Sequence, residues 1–340
     1  MTVWHPAMKN AASWLHGVAP GLAVVLAVAI TARLIGRFVP ATISEVLVAV
    51  VLGLLIANTL RLPAAAALGI RLAVQRVLRL GIILLGARLS LGDVVAIGSQ
   101  AILLIAVLMA VALVFAYSVG RLLGLPRRLA LLIGVGTAVC GNSAIIATAP
   151  VVEAKESEVS FAVATITLFG TLAVFVYPLI GAALQLSQTV FGLWSGTAIN
   201  DTSQVVAAAA AYGTAALGTA TVVKLTRNAL MAPLLLGIAW WWGRGAAAAR
   251  RGAAGAVPLF VLGFLAVVAL RTVGLIQPPL TLWLDEGARF CILLALAGVG
   301  LNTSLATLRA IGLAPFLLGL GAALIVAALS LSLITAFGLG

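Results

Sequence analysis

Gly134-Val135-Gly136-Thr137-Ala138-Val139-Cys140-Gly141-Asn142-Ser143-Ala144 falls in the middle of an apolar run, and the reading of these residues decides the fold. Three glycines sit here beside a threonine, an asparagine and a serine. Glycine weakens a helix by about 1 kcal/mol relative to alanine, and Asn and Ser compete for main-chain hydrogen bonds. In hydrocarbon such an interruption is tolerated only where protein or a cavity covers it. The stretch therefore predicts a membrane helix broken at depth, with a half-helix starting near Asn142 whose free N–H groups suit an anion. A packing face of small residues between straight helices is the alternative.

The flanking composition requires a bilayer. Of 340 residues, 64% are hydrophobic and only 8% charged, with a mean hydropathy of +1.25, whereas a soluble domain is about 25% charged. A helix crossing hydrocarbon needs about 20 apolar residues. Apolar runs at 18–38, 43–60, 68–89, 94–120, 129–150, 158–183, 187–211, 216–243, 256–274, 280–303 and 310–337 predict an all-α polytopic membrane protein of about 11 spans. It forms one domain over 1–340, with 1–17 as an N-terminal tail.

Twenty Lys and Arg face 8 Asp and Glu, a net charge of +12. They cluster at span ends and in short loops, as topology determinants do, so the partner is the lipid bilayer and no nucleic acid is expected. With the N-terminus in the cytoplasm, the inner loops hold Lys9, Arg61, Arg71, Arg121, Arg127, Arg128, Arg244, Arg250, Arg251 and Arg309. The outer loops hold only Arg33, Arg37, Arg88, Lys155 and Arg271, so this orientation is the expected one. His5 and His16 lie in the tail, and Cys140 and Cys291 lie in apolar stretches. No metal, cofactor or histidine triad is expected, no phosphate-binding loop with Lys-Ser/Thr occurs, and a membrane enzyme lacks its nucleophile and base.

A second polar interruption is Gly196-Thr197-Ala198-Ile199-Asn200-Asp201-Thr202-Ser203-Gln204. A mid-membrane aspartate costs on the order of 2.5–3.5 kcal/mol on insertion scales. Asp201 therefore reads as a cap of the helix that follows, as a coupling group for protons or sodium, or as both. Lys224, Arg227 and Asn228 share one helix face. They either snorkel to the interface or, with Asp201 as counter-ion, serve an oxyanion. Gly298-Val299-Gly300-Leu301-Asn302-Thr303-Ser304 reads as a further broken helix or as a helix end. The candidate substrate ligands are Thr137, Gly141, Asn142, Ser143, Asn200, Thr202, Ser203, Lys224, Arg227, Asn228, Asn302 and Thr303, with Asp201 as the coupling residue. Asn142, Ser143, Asp201, Lys224 and Arg227 are expected to converge on one water-accessible cavity. Elsewhere, Glu286 and Arg289 are expected to neutralise each other, and Arg76, Arg79 and Arg88 repeat one helical face, to pair with Asp93 or Glu45 or to contact substrate.

Two internal echoes stand at different offsets. Gly86-Ala87-Arg88-Leu89-Ser90-Leu91 and Ala96-Ile97-Gly98 return as Gly300 to Leu305 and Ala310-Ile311-Gly312. Gly136-Thr137-Ala138 with Ser143 returns as Gly196-Thr197-Ala198 with Ser203. Such similarity suits the internal repeats of transporters, or chance in a chain rich in Gly, Ala and Leu.

Leu80 to Ser90, Gly134 to Ala144, Gly196 to Val206 and Val223-Lys224-Leu225-Thr226-Arg227-Asn228 resemble the YeiH-type family of bacterial inner-membrane proteins, often labelled sulfate exporters. The resemblance covers about 20–337 of the chain. That family is similar to sodium/proton antiporter and bile-acid-symporter-like carriers. The likeness implies two inverted five-helix repeats, at 43–183 and 187–337, with 18–38 as an added span and broken helices in spans five and ten crossing at mid-membrane. It also implies a secondary transporter exporting a small inorganic or organic anion such as sulfate by alternating access, while the resemblance carries over no coupling ion and Asp201 alone points to a proton or sodium. A cation/proton antiporter using Asp201 and a channel are the alternatives, and a homodimer is compatible with each.

Overall fold

The computed structural model describes residues 11–36, 38, 44–60, 62–242, 259–304, 306 and 312–339. Lys9, His5, Arg37, Arg61, the connection from Arg244 to Gly255, Arg309 and the echo residues Ala310 and Ile311 lie outside them. The described residues form helices and contain no strand. In chain order these are α1 (Ala11–Gly36), α2 (Glu45–Thr59), α3 (Ala66–Leu72), α4 (Leu78–Leu85), α5 (Leu91–Leu122), α6 (Arg127–Ala138), α7 (Asn142–Thr148), α8 (Glu156–Ala183), α9 (Gln188–Ala198) and α10 (Thr202–Tyr212). They continue with α11 (Thr214–Ala229), α12 (Met231–Trp241), α13 (Leu259–Thr272), α14 (Pro278–Leu301) and α15 (Leu313–Ala336). A π-helical turn, Ala73–Val77, joins α3 to α4.

Helix lies within every stretch picked out by hydropathy, though not as 11 continuous rods. Five described helices are long and apolar enough to cross a bilayer: Gly17–Gly36, Ala101–Leu122, Glu156–Ala183, Thr214–Trp241 and Leu313–Ala336. A sixth counts if Ala66–Arg88 and Leu91–Ser99, bent by 106°, make one span. The bend has a local cause. Ser90 Oγ accepts from Asp93 N at 3.1 Å while Asp93 Oδ2 accepts from Ser90 N at 2.8 Å, a capping box that starts α5 afresh. Helix α1 begins at Ala11, inside the stretch read as tail.

The break expected in span five is present, between α6 and α7. Near Asn302 the described residues Asn302, Thr303 and Ser304 are not helical and Ala306 is. Helix α14 runs unbroken through Gly298 and Gly300 to Leu301, and Asn302 is its C-cap. A further break lies in span seven, between α9 and α10. The glycine at position 300 serves packing instead. A Cβ there would collide with the Val50 carbonyl and come within 3.0 Å of Gly53 Cα, and one at Gly53 would lie 2.6 Å from the Ala297 carbonyl. Small residues let the α2 and α14 backbones touch, as in other membrane bundles.

Two groups of helices result. Helices α1 to α4, α13 and α14 pack together, as do α5 to α11 with α15; α10 meets α2 and α14, and α13 meets α5, across the seam. The ion pairs of the first group differ from expectation. Asp285 accepts from both Arg88 and Arg289, the latter at 3.2 Å, and Glu286 pairs with Arg33 at 2.8 Å. Arg289 and Asp285 lie one turn apart on α14, facing the end of α4, so Arg88 reaches Asp285, while Asp93 is held by its own cap.

Gly300→Leu is expected to destabilise the purified protein by about 1–3 kcal/mol, the range for overpacking a close contact. Gly237, on α12, has open space around its Cα, so Gly237→Ala serves as the control. Thermal unfolding in detergent compares them: a marked fall for the first and an unchanged or slightly raised midpoint for the second.

Candidate functional site

The two breaks face each other. In the first, Val139 leaves helical geometry and Gly141 takes φ +67°, ψ −123°, a conformation suited to glycine. A Cβ on Gly141 would lie 3.4 Å from Asp201 Cα, in the second break. There Ile199 and Asp201 are extended, and Asp201 caps α10 through a 2.8 Å bond from Ser203 N and a 2.6 Å bond from Ser203 Oγ. The Gly-Thr-Ala echo falls on equivalent places: Gly136-Thr137-Ala138 ends α6 and Gly196-Thr197-Ala198 ends α9. Ser143 and Ser203 lie in the first turns of α7 and α10.

Each half-helix end exposes carbonyl oxygens without intrahelical partners, and α11 supplies donors to both. Lys224 is fully buried and Arg227 is 2% exposed. Lys224 Nζ donates to the carbonyls of Val139 at 2.8 Å, Ile199 at 3.0 Å and Asn200. Arg227 donates from Nε to Ala138 O at 2.7 Å, from Nη1 to Ile199 O at 3.1 Å and from Nη2 to Thr137 O. An ammonium has three donors, so Lys224 is saturated by main chain. Their acceptors are carbonyls and not a carboxylate, because Asp201 Oδ1 faces its own helix N-terminus and forms no ion pair with either cation.

Beside the cations lies a set of side-chain amides. Gln204 Nε2 donates weakly to Thr167 O at 3.3 Å and Thr171 Oγ1 at 3.4 Å, Asn142 Nδ2 to Thr167 Oγ1 at 3.4 Å, and Asn228 Nδ2 to Thr202 Oγ1 at 3.4 Å. The amide oxygens of Asn142, Asn200, Gln204 and Asn228 are buried without a protein partner. A Cβ at Gly170 would overlap the Gln204 amide, so α8 is cut away for that side chain. Thr167 and Thr171 are not among the residues that the sequence singles out, and Gln204 is given no role there; the sign is a Thr-x-x-Gly-Thr step on one face of α8.

The structure thus gathers Gly141, Asn142, Asn200, Asp201, Thr202, Ser203, Lys224, Arg227 and Asn228 at the crossing. The Thr137 hydroxyl turns back to Ile133 O at 2.9 Å and only its carbonyl takes part. Ser143 is exposed, and Asn142 and Asp201 are half-buried. Asn302 is exposed, while the Thr303 hydroxyl bonds Val299 O and its carbonyl accepts from Asn58 on α2, placing both with the first group. The five residues expected to share one cavity do not: Lys224 and Arg227 are sealed among carbonyls. A cavity of about 520 Å³ lies instead at the seam, lined by Arg33, Glu45, Arg88 and Arg289 from one group and by Ala210, Gly213 and Leu217 around the far end of α10.

Residues 20–319 match the family profile described as Conserved hypothetical protein 698. A UPF0324 membrane protein of Pseudomonas aeruginosa is 37% identical over 317 residues, spanning 88% of each chain. One of Agrobacterium fabrum is 33% identical over 344 residues, spanning 100% of this chain and 96% of that one. One of Bacillus cereus is 32% identical over 325 residues, spanning 95% and 92%. No solved structure matches.

Arg227→Lys tests the cradle. A lysine concentrates its donors on one nitrogen and cannot span the Thr137, Ala138 and Ile199 carbonyls as the guanidinium fork does. Each buried carbonyl left bare costs about 1–3 kcal/mol. The variant is expected to unfold at a clearly lower temperature or denaturant concentration; an unchanged midpoint would mean that these carbonyls find other donors.

Proposed function

This chain belongs to the YeiH-like family, and we propose that it is a secondary transporter moving a small anion, sulfate first among candidates, by alternating access. The observation that carries the reading is the crossing itself. Two broken helices meet inside an apolar bundle, where two buried cations hold the stranded carbonyls and the one carboxylate of the crossing, Asp201, caps α10. Irregular backbone at membrane depth is tolerated where it lines a substrate path, and broken helices are the usual frame of such sites. Side-chain charge at the crossing is two cations to one carboxylate, part of which the carbonyl ends of α6 and α9 offset, and the anion reading draws on the NH₂ groups of the amides beside them.

The unpartnered amides suit the same role. An amide presents NH₂ to an anion or oxygen to a donor, and the half-buried Asn142, Asp201 and Thr202 give the crossing its accessible edge. Alternating access would use the seam between the two helix groups, with α10 as the element that belongs to the crossing and also touches α2 and α14. We place the protein in the bacterial inner membrane with its N-terminus in the cytoplasm, on the asymmetry of Lys and Arg between alternate loops. It acts as a carrier and not as an enzyme in this proposal. A second reading, a cation/proton antiporter using Asp201, draws on the four amide oxygens, which are acceptors suited to a cation.

Radiolabelled sulfate uptake into proteoliposomes, under imposed proton and sodium gradients, separates the two. The anion reading expects saturable sulfate flux; flux of sodium or potassium against protons with no sulfate movement supports the second.

Asp201→Asn probes coupling. Asparagine preserves an acceptor at the N-cap, so the fold is retained. If a proton on Asp201 accompanies the anion, each promotes the binding of the other by linkage, and wild-type sulfate binding strengthens as pH falls. The variant is expected to bind sulfate with no such pH dependence. An unchanged pH profile would leave Asp201 as a cap alone.

A further inference from the structure

The carbonyls of Val139, Ile199 and Asn200 form an all-oxygen cradle at the ends of two half-helices, and Lys224 Nζ sits in it. A half-helix C-terminus carries about −0.5 of an elementary charge, so two that converge ask for roughly one positive charge. In carriers built from broken helices, unwound carbonyls and half-helix C-terminal ends are where a coupling cation is held. Here that place is filled by the chain itself. Val139 and Ile199 are the equivalent residues of the two echoed breaks, each following Gly-Thr-Ala, so the ammonium lies between two matching carbonyls. All three of its donors are used, and the side chain is fully buried.

We propose that Lys224 is the resident monovalent cation of the crossing, in the place a sodium ion would otherwise hold, and that the protein therefore does not bind sodium there. The tethered ammonium supplies the charge at every stage without dissociating. Arg227 does not duplicate it: its guanidinium bridges Thr137 and Ala138, further back on α6, to Ile199. The statement about coupling rests on the transporter reading, and it removes the Val139, Ile199 and Asn200 carbonyls as a seat for a driving sodium ion.

The test is thermal unfolding of the purified full-length protein in detergent, which requires no transport, so a failure of the sulfate assay leaves it intact. The wild type is expected to melt at the same temperature in sodium chloride and in choline chloride at equal ionic strength. Lys224→Ala is expected to melt lower in choline, whose ion is too large for the cradle. Its midpoint should recover by several degrees as ammonium, methylammonium or sodium is titrated in, by mass action on the folded state. Rescue by small cations distinguishes a vacated cation site from a merely lost packing contact. Lys224→Met, which keeps the stem volume, is run beside it and is expected to stay low in every salt. A wild type stabilised by sodium over choline overturns the proposal, as does a Lys224→Ala protein whose midpoint is indifferent to the cation. If neither variant folds, the wild-type comparison decides alone.

Discussion

Main-chain carbonyls that have lost their helix must be satisfied where no water is available, and this requirement organises the centre of the molecule. Breaking α6 from α7 and α9 from α10 strands the oxygens of Thr137, Ala138, Val139, Ile199 and Asn200. A single turn of α11 answers all five through Lys224 and Arg227. The arrangement works in both directions. Without the cations the breaks would be untenable in hydrocarbon, and without the carbonyls two buried cations would be uncompensated. Three helices from separate parts of the chain are thereby fixed to one another before any ligand is considered.

That fixation leaves the rest of the crossing open for recognition. Because Lys224 and Arg227 are held by main chain, the polar groups with capacity to spare are the amides of Asn142, Asn200, Gln204 and Asn228, whose oxygens have no protein partner. The seam cavity adds the guanidinium groups of Arg33, Arg88 and Arg289, partly neutralised by Asp285 and Glu286. Charge is thus divided between a sealed part that holds the frame and a wetter part that meets the other helix group.

Much of this was readable in the residues. Glycine mixed with amides and hydroxyls inside an apolar run marked both breaks, and the Gly-Thr-Ala echo marked their equivalence. The spacing of Lys224, Arg227 and Asn228 put them on one face. Their acceptors were hidden because carbonyl oxygens carry no letter in a sequence, which drew attention to Asp201 as the visible counter-charge. Gly298 and Gly300 misled for a related reason: glycine permits a kink and also permits close approach, and only Gly53 on the facing helix tells which. The seam cavity draws on residues from Arg33 to Ile292, a separation no local pattern spans.

Helix α10 has eleven residues, so it reaches about 16 Å from the capped end at Asp201 to Gly213. Its near end is anchored by a carboxylate that holds Ser203, and its far end rests against α2 and α14 beside the arginine-lined cavity. A swing of about 10° at Asp201 carries the far tip roughly 3 Å over that length, the width of a water molecule. The N-cap at Asp201 and the arginine-lined cavity are thereby the two ends of one rod.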